Sequence, residues 1–275
     1  MNMRSQILLG LTMALIVAPA FGHETTSTQK SLISTVAELQ QTIQDLQKRI
    51  ETIETNSVLA LNGVVYEDTI DGQPAVVVSG ANLHVQNGLG STATSNSTGN
   101  LVVGYNAASG GESRTGSHNI VIGDGHSYVS HGGFALGTGN SLYGSNAIAA
   151  GGSSNSADVN DVVIGGAGNV AGSQGPPGVS SVVIGGMNNT TGGLYGVVVG
   201  GTDNQITGPN LGPVIVGGES NNISALVGSH DVILGGQENT IGRLDLPGIG
   251  YSAIVAGERN LIEDAGSSVI VGGAD

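Results

Sequence analysis

Two glycine-spaced segments and four histidines are the residues of this chain whose types and spacing could do chemistry. Gly123-Asp124-Gly125 and Gly166-Ala167-Gly168 look like phosphate-cradling turns. A phosphate site also needs the backbone N–H groups of a helix N-terminus, or a lysine following the glycines. No helical pattern follows either segment, and Gly-Lys-Ser/Thr occurs nowhere. His118, His126, His131 and His230 could ligate a metal or move a proton. None stands at metal-ligand spacing from a second donor, and His126 and His131 read as solvent-facing turn residues. The glycine pairs lack the Asp of the calcium-binding nonapeptide, although Asn amides repeated along a fibre could hold an ion on an axis between chains. The chain has no Cys, which removes disulfides, thiolate zinc sites and cysteine nucleophiles. The expectation is no catalytic residue, no cofactor and no metal.

What remains is a scaffold, and composition describes it. Of 275 residues, 48 are Gly; there is no Trp, and only two Phe and six Tyr. Seven Lys plus Arg stand against 21 Asp plus Glu, a net charge of −14 that argues against binding nucleic acid by phosphate neutralisation. At 39% hydrophobic and only 10% charged, the chain does not have the composition of disorder. Thin strands joined by glycine turns, repeated many times, would give these values.

Residues 1–22 read as a secretory signal peptide. Arg4 supplies the positive start, and Ile7 to Val17 is an apolar run too short to span a bilayer. Small residues favour cleavage after Gly22, with Ala20 as the alternative. No Cys follows to carry a lipid, and no later run is long enough for a transmembrane segment, so an exported chain is expected.

Residues 23–57 read as a coiled-coil stalk. Leu32, Val36, Leu39, Ile43, Leu46, Ile50 and Ile53 alternate spacings of four and three, an unbroken heptad seam with Val36, Ile43 and Ile50 at a and the others at d. So narrow a stripe packs best on copies of itself. Val or Ile at a with Leu at d leans toward dimers. Arg49 at g and Glu54 at e have the spacing of an interchain ion pair in parallel helices. The stretch Arg49-Ile50-Glu51-Thr52-Ile53-Glu54 resembles the R-h-x-x-h-E motif of parallel trimeric coiled coils.

From residue 100 to 275 one phrase recurs: three apolar residues, Gly, often a second Gly, then Asn three or four places on. The eleven key glycines are Gly104, Gly123, Gly137, Gly151, Gly165, Gly185, Gly200, Gly217, Gly235, Gly257 and Gly272, separated by 19, 14, 14, 14, 20, 15, 17, 18, 22 and 15 residues. Asn155, Asn169, Asn189, Asn204, Asn221, Asn239 and Asn260 follow them and are expected to take a left-handed turn. The reading is a mostly β solenoid of eleven two-stranded rungs, each rung a β-branched triplet, a glycine turn and a second short strand in a stretch such as Asn204-Gln205-Ile206-Thr207-Gly208. A rung of about 14 residues, at about 3.3 Å per residue, encloses very little, so one apolar row is expected to face an axis shared with other copies. In Val182-Val183-Ile184 alternation turns the outer two inward and Val183 outward, or the reverse; the first choice would make Asp at 182 or 184 disrupt the assembly and Asp at 183 milder.

These units resemble the head repeats of trimeric autotransporter adhesins, the YadA-like head, with its x-V-x-I-G-x-x-[NS] pattern. The resemblance covers residues 100–275 and implies a left-handed parallel β-roll, a homotrimer and adhesion to host matrix, cells or surfaces. Two departures are expected. The family's C-terminal membrane barrel has no counterpart in Val271-Gly272-Gly273-Ala274-Asp275, and the stalk precedes the head.

Residues 58–99 lack the repeat and read as a β-rich connector. Val64-Val65-Tyr66 and Val76-Val77-Val78 flank a polar turn at residues 71–74, Leu83-His84-Val85 alternates, and 88–99 looks like loop. Gly175-Pro176-Pro177-Gly178 is an isolated collagen-like fragment in an insertion at 173–180; with 209–213 and 243–251 it offers the best places for specific binding. The expected function is an exported, non-enzymatic, trimeric rod for adhesion or surface display, extracellular or on the cell surface, with itself and an unnamed surface or matrix ligand as partners. The alternatives are a structural subunit of an extracellular fibre or matrix and, from another class, a hexapeptide-repeat acyltransferase. Residues 164–170 fit the hexapeptide register for one step, but that register is not sustained.

Overall fold

The computed structural model describes residues 27–55, 61, 63–172, 180–192, 194–208, 211–224, 230–242, 250–263 and 267–274. The expected signal peptide lies outside them, as do residues 173–179 of the 173–180 insertion, most of 243–251 and residues 209–210. The chain divides into two units, residues 1–83 and 84–275.

The first unit holds helix α1, Ser27–Glu54, whose 28 residues rise about 42 Å at about 1.5 Å each. Its Ser and Thr residues are poor helix formers, but several bond locally. The Thr35, Thr42 and Thr52 hydroxyls donate to the carbonyls of Ser31, Glu38 and Lys48, at 3.0, 2.9 and 2.9 Å. The same unit holds a hairpin of β1, Val65–Ile70, and β2, Gln73–Val78, paired antiparallel from Val65–Val78 to Ile70–Gln73. Its turn is shorter than the sequence suggested. Asp71 and Gly72, at φ 51° and 76°, close it alone, and Gln73 and Pro74 already belong to β2. Leu83-His84-Val85, expected as a strand, is not one.

The second unit is a parallel β-solenoid. One sheet has eleven strands, from Leu101–Val103 through Val182–Ile184 to Val269–Val271; the other has nine, from Ser127–Tyr128 through Gln205–Thr207 to Leu261–Glu263. All eleven triplets are therefore strands, but nine turns rather than eleven are two-stranded among the described residues. The register never slips along the triplets of the first sheet: Val183 lies between Val163 and Val198, and Ile215 between Val198 and Ile233.

The core corrects the expectation that a turn encloses very little, and with it the expectation that the middle residue of a triplet is the more tolerant one. Each turn encloses one side chain from each sheet. From the first sheet come Val121, Ala135, Ala149, Val163, Val183, Val198, Ile215, Ile233 and Ile254; opposite stand Tyr128, Leu142, Ala157, Ala171, Thr191, Ile206, Ile223, Ile241 and Ile262. The middle residue of the triplet is the inward one, with Val183 at 0% exposure, while Val182 is half-buried and Ile184 is 43% exposed on the outer face. Strand alternation allows only these two assignments, and the small bore of the roll selects the one with a single inward residue per triplet. Volumes are traded along the bore. Ala135 faces the larger Leu142, and both partners become Ile in the turns from Ile215 to Ile262. Val102 in the first triplet is exposed, because no strand of the second sheet closes beneath it.

At the corner between the sheets the two glycines of each pair do different jobs. Gly185 has φ 70° and open space around its Cβ position, so only the backbone angle demands glycine. Gly186, at φ 79°, also lies against the carbonyl oxygen of Gly201 in the next turn, where any side chain would collide.

Residues 84–99 fold over the first turn as a cap built on Asn87. Its Nδ2 donates to the Thr94 hydroxyl at 2.9 Å, its Oδ1 accepts Leu89 N–H at 3.0 Å, and its carbonyl accepts Asn96 Nδ2 at 2.8 Å. Gly99 must be glycine here, since its Cβ position is 2.6 Å from the backbone nitrogen of Asn87.

Candidate functional site

The first candidate surface is the outer face of the eleven-stranded sheet. Parallel in-register pairing puts equivalent residues in files about 4.8 Å apart. Ile164, Ile184, Val199, Val216 and Leu234 form one exposed apolar file, and Val162, Val182, Val197, Val214 and Val232 form a half-buried one beside it. The outer face of the other sheet is mostly polar where this one is apolar, with Ser127, Ser141, Ser156, Thr190, Gln205, Asn222 and Thr240, and Val170 and Leu261 as the exceptions. The second candidate is the helix seam. Leu32, Leu39, Ile43, Leu46, Ile50 and Ile53 are exposed in the single chain and Val36 is half-buried. Arg49 and Glu54 are exposed on the same helix. All eleven key glycines have positive φ, from 68° to 113°, at the ends of their strands.

The Asn residues have a different role from the one expected. The left-handed position belongs to the residue before each: Ser154, Asn188, Asp203, Ser220, Glu238 and Arg259 have φ between 52° and 56°. The Asn itself turns inward and is buried, except Asn260 near the end of the roll, which is half-buried. Asn204 shows the pattern. Its N–H donates to Asn189 Oδ1 at 3.0 Å, its own Oδ1 accepts Asn221 N–H at 3.1 Å, and its Nδ2 donates to Gly218 O at 3.1 Å. Repeated turn by turn, this makes one amide ladder from Asn140 to Asn260. It satisfies a buried backbone N–H in every turn, at a corner where neither sheet can.

His126 occupies that ladder and is buried, not solvent-facing. Its N–H donates to Asn106 Oδ1 at 3.1 Å, Nδ1 accepts Asn140 N–H at 3.2 Å, and Nε2 is 3.1 Å from Ile122 O. The imidazole reproduces the amide: one ring nitrogen accepts from the next turn, and the other donates four residues back. The signal was in the spacing. His126 lies three residues after Gly123, as Asn140 does after Gly137. His118 is half-buried against the cap, His131 is half-buried, and His230 stacks on Tyr251 with ring centroids 5.4 Å apart at 19°.

A shorter ladder precedes the triplets. Asn119 N–H donates to Asn100 Oδ1 at 2.9 Å, and Gly133 N–H to Asn119 Oδ1 at 2.8 Å. Asp161 takes the same position, with Ser181 N–H donating to its Oδ1 at 2.6 Å. Its side chain is 1% exposed, and burial, opposed by that hydrogen bond and helped by the charge of Asp158, raises its pKa from 3.8 to about 6. Because the folded pKa is raised, the stability this group contributes is complete below the ordinary carboxylate range and is lost as pH rises through about 6. Asp161→Asn keeps the acceptor and removes the charge. It is expected to match the parent below pH 4 and to exceed it by about 1–3 kcal/mol at about pH 8. Denaturant unfolding at the two pH values checks this; equal stability at both would contradict it.

Among the described residues no three His, Asp or Glu side chains come together as a metal site, and no helix is long and apolar enough to cross a membrane. No protein-family model, curated protein or solved structure matches the chain.

Proposed function

We propose that this chain is an exported, non-enzymatic rod that assembles as a parallel homotrimer and serves in adhesion or surface display. The observation that carries the reading is the unpartnered apolar file of Ile164, Ile184, Val199, Val216 and Leu234 on one face of the roll. A second unpartnered stripe, the heptad seam, lies on the helix of the same chain. Each of these faces is periodic, and a periodic apolar surface is best covered by an identical copy in register. The resemblance to YadA-like head repeats supports three copies around the axis, a left-handed roll and an adhesive role. The parallel solenoid with one preceding helix is compatible with it. The regular polar face would then lie outward, with the insertions between turns available for a surface or matrix ligand.

Mature protein is expected to sediment as an elongated trimer, and sequential truncation of α1 should weaken association. A monodisperse compact monomer in native buffer would overturn the reading. Electron microscopy of cell surfaces and culture medium should then show individual spikes. Long polymers would transfer the role to a fibre subunit with the same fold.

A further inference from the structure

We propose that His118 and His126 make the N-terminal end of the roll acid-labile, because each ring accepts a backbone N–H that only an uncharged imidazole can accept. At His118, Nε2 accepts the Asn87 N–H at 3.2 Å, and Nδ1 lies 3.1 Å from Thr92 O. A carbonyl can only accept, so Nδ1 carries the hydrogen and Nε2 the lone pair. At His126 the assignment is reversed. Nε2 faces Ile122 O at 3.1 Å and carries the hydrogen, leaving Nδ1 to accept Asn140 N–H at 3.2 Å. A second proton on either ring turns its acceptor into a donor that points at a donor. The Asn87 or Asn140 N–H is then left buried without a partner, which is costly.

Both rings sit where the roll begins. His118 ties the cap to the first turns, through the residue on which the cap is built. His126 ties the Asn106 turn to Asn140, where the amide ladder starts. From Asn140 to Asn260 every ladder position is an amide, which does not titrate, so the loss of ladder contacts in acid is confined to one end.

The charged groups around the rings do not rescue the protonated forms. Arg114 Nε donates to the His126 carbonyl at 3.3 Å, and its Nη2 is buried without a partner, so the charged side chain held at that residue is a cation and offers no counter-charge. Glu112 is held at a pKa of about 2 by the Ser109 hydroxyl and the backbone N–H groups of Ser109 and Gly110, and its oxygens are occupied there. Asp124 Oδ1 accepts Ala107 N–H at 2.7 Å. His131 lies in the turn after His118, bridged through Ser117. Among the described residues no carboxylate bonds to either ring. Acid therefore loosens the cap from Leu101–Val103 and uncouples the first corner, while the later turns stay closed.

The test is amide hydrogen exchange on the full mature chain at about pH 8 and about pH 5, corrected for intrinsic rates, the window in which imidazole changes charge. Asp161 titrates there too and acts in the opposite direction, so residue-level exchange is read instead of the melting temperature. Protection at Asn87 and Asn140 is expected to fall at least about tenfold on acidification, a change of about 1.4 kcal/mol in local opening, while Asn204 and Asn221 hold theirs. His126→Asn restores the regular ladder residue and should keep Asn140 protected at low pH while Asn87 still opens. Ring ¹⁵N shifts report protonation directly. Either amide keeping its protection with its histidine protonated overturns the proposal. So does neither ring gaining a proton by pH 5, or His126→Asn opening at Asn140 as the parent does.

Discussion

Val183→Asp is expected to prevent the roll from closing, whereas Ile184→Asp, one residue on, should leave it folded and break the association of copies. Val183 is 0% exposed, faces Thr191 across the bore, and lies between Val163 and Val198. Removing the valine forfeits about 1.5–3 kcal/mol of burial. Placing a carboxylate there costs considerably more, since the donor facing it across the bore is a single neutral hydroxyl, the buried and unpartnered Thr191 Oγ1, which cannot balance a charge. The sum exceeds about 5 kcal/mol, comparable to the whole stability of many domains. Turns contact only their neighbours, so the damage should appear as exchange opening centred on residues 163–206 and spreading outward. Ile184 points away from the bore and is 43% exposed, so its carboxylate stays hydrated. Its roll should unfold within about 1 kcal/mol of the parent yet sediment as smaller species. A Val183→Asp chain with parental circular dichroism would refute the assignment of the bore. An Ile184→Asp chain that still sediments as the parent does would remove the self-association face.

The second large effect is expected at Asn204→Ala. This side chain accepts from Asn221 N–H and Asn221 Nδ2, both at 3.1 Å, and donates to Gly218 O at 3.1 Å and Gly200 O at 3.4 Å. Truncation leaves the buried Asn221 N–H without an acceptor and the Asn189 Oδ1 with one donor fewer. Each orphaned group costs about 1–3 kcal/mol, and a loss of about 3–5 kcal/mol follows. Asn204→Asp separates acceptor from donor. It keeps the acceptor but loses all three Nδ2 donations, to Asn189 Oδ1, Gly200 O and Gly218 O, and buries a charge, so it should be at least as damaging at neutral pH and recover on acidification. Denaturant melts of both variants check the order. A loss below about 1 kcal/mol for Asn204→Ala would mean that the ladder decorates the corner without holding it.

Much of the roll could be read along the chain. The eleven triplets and their glycines are where spacing put them, and the strand at 205–207 lies within the stretch 204–208 read for it, because a turn can be closed only where the backbone goes left-handed and glycine marks that place. The heptad seam of α1 was legible for a similar reason, since helical periodicity alone sets which residues share a stripe. The Asn role was not legible. Asn is common both at left-handed positions and as a buried hydrogen-bonding residue, and only the fold shows that Asn188 does the first and Asn189 the second. His126 was misread because histidine in a glycine-rich segment suggests a surface turn. Its equivalence to Asn140 emerges only when consecutive turns are laid over one another.

Sequence by itself therefore determined the repeat, its strands, its turns and the stripe on the helix, since each is a local property of spacing and backbone freedom. Tertiary structure decided which residue of Val182-Val183-Ile184 points into the bore, and with it which apolar file is left for a partner. Alternation offers both choices equally, and the choice is made by how many side chains the space between two sheets can hold. It also decided that a histidine could stand in a ladder of amides. That depends on a neighbour 14 residues away presenting its N–H to the right ring nitrogen.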